Sequence, residues 1–194
     1  MLDQRNGSGT ATVAVAADFE RALAFVLDHE RREYEDVKEA SRLSAEDAIT
    51  FRDYAAFRRG HGMPVQDVRT LTDAEAQVTY RAHYWEPMHC DSFSFPVALV
   101  LFDSAVNVGT GRVIVWLERI LGFEPDGGFG PMTLNVAKAQ VAGQGEKAMV
   151  EALLSRRTTY YEVIGAPGKP LNKFLDIWLN RIADLKREAG IVAD

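Results

Sequence analysis

The sequence predicts an all-α protein of about eight helices, and three observations carry that reading. Apolar residues recur at helical spacing in separate stretches, most clearly Phe19, Ala22, Leu23, Val26 and Leu27, and later Leu171, Phe174, Leu175, Trp178, Ile182 and Leu185. Start and stop residues bracket such stretches: Thr72 and Glu75 are spaced as a capping box, and Gly60, Gly109 and Gly122 stand just past helix ends. The longest apolar run, from Phe95 to Phe102, is closed by Asp103 and has the length of a buried helix, short of the roughly 20 residues that span a bilayer.

Composition bounds the rest. A chain of 194 residues, 47% hydrophobic and 26% charged, reads as one soluble domain long enough to bury a sizeable core. Its net charge of −6 argues against unspecific nucleic-acid binding, which needs a dominant basic surface. A single cysteine, Cys90, excludes an internal disulfide, and His29, His61, His83 and His89 lack metal-ligand spacing, so neither metal nor cofactor is expected. The first residues show no basic stretch followed by an apolar one, so no signal peptide is visible.

In chain order, residues 1–12, rich in Gly, Ser, Thr and Asn, read as a flexible arm before a single domain over 13–194. The first helix runs from Asp18, which can cap it, to Glu33, and the next position on its apolar face after Leu27 is Glu30. A half-desolvated carboxyl at the rim of a core tends toward a raised pKa, which suits a general acid, although such a group equally serves as a structural ion-pair partner. A second helix is expected over Ser44–Arg59, and a third from Asp73 to Tyr84 behind its capping box. The turn holding Trp85, Pro87, Met88 and Cys90 is dense in large side chains, which suit either sugar stacking or the core.

The fourth helix has Pro96 in its first turn and Gly109 at its end, and it is apolar on nearly all sides, as a central helix must be. On it Asp103 and Asn107 share a face, where they either bond neighbouring elements or line a cleft. A fifth helix follows with the stripe Val113, Trp116, Leu117 and Ile120. The Gly- and Pro-rich loop Glu124 to Thr133 comes next, then helices over Met132–Val141, Gly145–Val163 and Leu171–Ala189.

Several of these pieces, in this order and spacing, resemble one family. They are the Glu ending the first helix, Tyr84-Trp85-Glu86-Pro87 with Cys90-Asp91, the run Phe102 to Gly109, the run Asp126 to Leu134, and Trp178-Leu179-Asn180-Arg181. Together they resemble the glycoside hydrolase family 108 muramidases, whose second half is classed as a predicted peptidoglycan-binding region. The resemblance implies a lysozyme-like helical domain with a catalytic-Glu half at 13–85 and a peptidoglycan-binding half at 86–194. It implies cleavage of the β-1,4 bond between N-acetylmuramic acid and N-acetylglucosamine, with Glu30 as the acid and the peptidoglycan glycan strand as partner. Tyr34, Tyr84, Trp85, Asp103 and Asn107 are the expected substrate-side residues, and Glu33, Asp36 and Asp103 are candidates for a second carboxylate. Such an enzyme would be made in the cytoplasm, act at the cell wall or periplasm, and need a holin-like pore or a secretion system to get there.

The sequence departs from that family just after Glu30. Arg31 and Arg32 replace two glycines and Tyr34 arrives one place late, which implies a rebuilt cleft wall. Two guanidinium groups beside the acid would favour its ionised form and shift the pH optimum to the acidic side, unless they pair with Glu33, Glu35 or Asp36. Two alternatives to the hydrolase stay open: a peptidoglycan binder with weak or no activity, and a structural component of a phage or secretion machine.

Overall fold

The computed structural model describes residues 17–30, 32, 72–169 and 171–191. The expected arm and the expected helix over Ser44–Arg59 lie outside the described residues. The described ones form seven α-helices and no strand: α1 over 17–30, α2 Asp73–Tyr80, α3 Phe95–Val108, α4 Thr110–Ile120, α5 Pro131–Gln144, α6 Glu146–Ile164 and α7 Leu175–Glu188.

Helix α3 is the axle. Every residue from Val97 to Ala105 is buried, and α4, α6 and α7 all pack against it. A helix can be surrounded in this way only if it is apolar all round, as its sequence Phe-Pro-Val-Ala-Leu-Val-Leu-Phe is. Helix α1 lays Phe19, Ala22, Leu23 and Val26 into the same core, with Phe19 edge-on to both Trp85 and Phe102. Helical residues begin before Asp18, which therefore sits inside the first turn rather than capping it.

The capping box at α2 is complete: Thr72 Oγ1 accepts from the Glu75 backbone N–H, and the Glu75 carboxylate accepts from the Thr72 N–H. The α-helix stops at Tyr80, short of the expected Tyr84, and Arg81–Trp85 continue as one π turn. The wider turn accommodates an extra residue, and Trp85 ends up inside the core while Tyr84 stays half-buried. Farther on, α5 runs past the expected Val141 to Gln144, and α7 begins at Leu175 after a short 3₁₀ turn at Asn172–Phe174.

Two sharp corners are each made by one glycine. Gly109 (φ 87°, ψ 139°) ends α3 and begins α4, and Gly145 (φ 90°, ψ 157°) does the same between α5 and α6. Only glycine adopts such a backbone without strain, so a single residue turns the chain where an ordinary loop would need several. A Cβ at either place would meet nothing within 4 Å, so the cost of a substitution is conformational alone. Gly109→Ala and Gly145→Ala should each lower stability by about 1–3 kcal/mol, read as a shift in urea midpoint with an unchanged m-value.

Candidate active site

Glu30 lies near the end of α1, with its side chain 16% exposed, and its Oε1 accepts from Arg181 Nη1 of α7 at 3.0 Å. Arg181 is almost wholly buried, and its Nε and Nη2 donate to Asp103 Oδ1 of α3 at 3.0 and 2.6 Å. The other Asp103 oxygen accepts from Arg157 Nη1 of α6 at 2.5 Å, and Arg157 Nε donates to the Tyr161 hydroxyl at 3.0 Å. One acid on α1, one on α3 and two arginines on α6 and α7 thus form a chain of alternating charge through the protein.

The electrostatics follow from that alternation. Burial is the largest single influence on Asp103 and pushes its pKa up. The Arg181 and Arg157 guanidinium groups together outweigh it and bring the pKa down to about 2. Tyr80, buried beside Glu30, has its pKa raised by burial first and then by the Glu30 and Tyr84 charges, so its hydroxyl stays protonated. Burial lowers the His29 pKa, and Arg181 and Arg32 add to the effect, outweighing Asp184, whose Oδ2 lies 3.5 Å from Nε2.

The expected site residues separate into groups. Glu30 stands at the rim, as the apolar stripe predicted, and Tyr84 is half-buried with its ring 5.7 Å from that of Tyr80. Tyr34, Glu33 and Asp36 lie outside the described residues, as does Arg31. Trp85 is a core side chain, 1% exposed, edge-on to Phe19 and Phe102 with its indole N–H on Asp91, and it has no face to offer a sugar. Asp103 is fully buried with both oxygens on guanidinium groups. It therefore touches no substrate and cannot be the second carboxylate, because the Arg181 guanidinium fills the space between it and Glu30. Asn107 donates to the Asp103 backbone carbonyl at 2.8 Å and braces α3. Arg32 pairs with Asp28 one turn back and lies 3.9 Å from Asp184, whereas Arg181, from the far end of the sequence, is a described cation on Glu30.

Sequence reasoning missed Arg157, Arg181 and Glu118. Each left a signal: Arg181 falls on the apolar face with Trp178, Ile182 and Leu185, and Arg157 continues the spacing of Leu153, Leu154 and Tyr161. An arginine within an apolar stripe is a buried one and demands an acid partner. Glu118, likewise in register with Ile114 and Leu117, accepts the backbone N–H groups of Asp126 and Gly127, both at 3.1 Å. His89 holds the same loop from the other side by donating Nε2–H to the Phe129 carbonyl at 2.8 Å. The Gly- and Pro-rich loop is therefore fastened from both sides.

These features define the class: an all-α, lysozyme-like domain with a glutamate at the rim of its core, at the end of its first helix. Residues 25–109 match the family described as Glycosyl hydrolase 108, and residues 112–183 match the one described as Predicted Peptidoglycan domain. The chain thus carries a region matched to glycosyl hydrolase 108 followed by one matched to a predicted peptidoglycan domain, the order that the motifs of the sequence implied. Its fold is similar to that in "Structure of Brucella abortus SagA", with a TM-score of 0.57 and 23% identity over 70% of this chain and 75% of that one. No curated protein matches it significantly in sequence. The two matched regions meet at the Gly109 corner, and the Glu30–Arg181 and Asp103–Arg157 pairs tie one to the other.

Removing Asp103 leaves two buried guanidinium groups facing each other, so Asp103→Ala should destabilise the fold by about 3–5 kcal/mol, the usual penalty for breaking a buried pair. Because its folded pKa is depressed, the stability Asp103 contributes is complete above the unfolded carboxyl range near pH 4 and is lost as pH falls toward about 2. His29, also depressed, adds a loss that begins below its unfolded value of 6.5. Urea melts of the wild type from pH 7 to pH 2 should show both losses, and Asp103→Ala should flatten the lower one.

Proposed function

We propose that the protein is an N-acetylmuramidase that cleaves the β-1,4 bond between N-acetylmuramic acid and N-acetylglucosamine in peptidoglycan, with Glu30 as general acid. The observation that carries this reading is the partly exposed Glu30 carboxyl, inside the region matched to a glycosyl hydrolase family and at the rim of a core shared with the peptidoglycan domain. Protonated Glu30 gives its proton to the glycosidic oxygen as the bond to the anomeric carbon breaks. The bonding electrons leave with that oxygen and the sugar acquires oxocarbenium character, to be captured by water. Under this reading Tyr84, half-buried beside Tyr80, serves as a sugar contact. Under this reading the protein acts at the cell wall, with a holin-like pore or a secretion system giving it access.

One observation favours a second reading. Glu30 is bonded to the buried Arg181 guanidinium, an attraction that favours the carboxylate form, and a group in that form binds glycan without cutting it.

Incubation with purified peptidoglycan, followed by a reducing-end assay and mass analysis, separates the two. Hydrolysis should leave N-acetylmuramic acid at the new reducing ends, an anhydro end would instead show intramolecular capture, and binding without new ends would support the second reading. Glu30→Gln keeps the shape and removes the proton, so turnover should fall by about 10²–10⁴ while the melting temperature changes little. Wild-type turnover in that variant would remove Glu30 from the mechanism.

A further inference from the structure

We propose that Arg181 is the positioning residue of the catalytic acid: clamped by Asp103, it fixes the orientation of the Glu30 carboxyl and sets the pH at which that acid loses its proton. The inference rests on Glu30 being the general acid.

Geometry supplies the first argument. Arg181 puts two nitrogens on one oxygen of a carboxylate that is itself fully buried and held by Arg157. A planar guanidinium pinned at two nitrogens has little freedom left, so Nη1, 3.0 Å from Glu30 Oε1, is a fixed donor rather than a mobile surface cation. Glu30 ends a helix at the rim of the core, and this bond holds it from the opposite side of the domain. Orientation matters because a general acid must lie within hydrogen-bond reach of the leaving oxygen.

Charge supplies the second. Among the described residues, Arg181 of α7 bonds Glu30 and Tyr80 of α2 lies beside it, with Tyr84 of the π turn next to Tyr80, Asp103 of α3 and Arg157 of α6 behind the arginine, and His29 adjacent on α1. Arg157 and Arg181 share Asp103, and Arg181 also bonds Glu30. Ionising Glu30 sets a negative charge against the Arg181 guanidinium, and protonating it removes that charge. As the proton moves from Glu30 to the glycosidic oxygen, the negative charge growing on the carboxyl meets a donor already in place, with no reorganisation required. The same attraction draws the alkaline limb of activity downward, so Arg181 contributes to an acidic optimum.

The test compares the wild type with Arg181→Gln and Arg181→Lys by two readouts: the pH profile of kcat/KM on soluble peptidoglycan fragments, and a carboxyl ¹³C NMR titration of Glu30. Arg181→Gln should raise the Glu30 midpoint by about one pH unit or more and move the alkaline limb by the same amount. Arg181→Lys keeps a charge but not the planar fork, so the midpoint should stay closer to wild type while kcat falls by about tenfold or more with KM little changed. A merely structural arginine would lower the melting temperature and leave limb and midpoint where they were, and that result overturns the proposal. If Arg181→Gln does not fold, Arg181→Lys decides: a kcat loss with native-like circular dichroism supports the role, and wild-type kcat overturns it. A wild type that never cleaves peptidoglycan counts against the function proposed above, whereas the NMR midpoints still report whether Arg181 governs the ionisation of Glu30.

Discussion

The structure depends on one buried charge. Asp103 sits in the middle of a helix that is otherwise solid hydrocarbon, and an ionised carboxylate there is tolerable only if cations are brought to both of its oxygens. Arg157 and Arg181 satisfy that demand, and each brings its own helix into a fixed register against α3. Because Arg181 also reaches Glu30, the same constraint extends to α1. Four helices are thereby related through a few polar atoms, while the surrounding apolar surface supplies the bulk of the stabilisation.

Such a network is not the cheapest way to fill a core. Arg157 Nη2 finds no hydrogen-bond partner among the described residues, and buried ion pairs often contribute less than well-packed hydrocarbon of the same volume. What they give in return is uniqueness of arrangement, since apolar side chains tolerate a shift of helix register that a two-sided guanidinium clamp does not. The aromatic wall around Arg157, with Tyr161 stacked on Trp178 at 4.8 Å, also keeps water from competing for the pair.

The arrangement links stability to chemistry directly. The proposed acid is a member of the chain of charges that fixes the core, so a change at Asp103 or Arg157 reaches Glu30 through Arg181 without touching a substrate. The glycine corners turn helices in one residue, and the loop after α4 is tied by Glu118, Asp126, His89 and Thr133. Rigidity around the site thus comes from side chains anchoring backbone as much as from helix packing.

The sequence alone determined the helical class, the central helix, the capping box at Thr72 and the placement of Glu30 at the end of an apolar stripe. Each of these rests on local spacing, which a 3.6-residue period or a three-residue capping interval makes readable. It also carried the family resemblance, through motifs that are contiguous in the chain. Local signals did not show that Trp85 turns inward, because a π turn shifts the register by one residue that no periodicity marks. They did not distinguish an Asp103 lining a cleft from an Asp103 locked in the core, since its partners stand 54 and 78 residues away. Nor did they place Arg181 on Glu30: its neighbours in sequence drew attention to Arg31 and Arg32, whereas Arg181 lies 151 residues further on. Only the packing of α7 against α3 and α1 decided that, because a charge inside a core is paired by proximity in space, and proximity in space is what chain order does not encode.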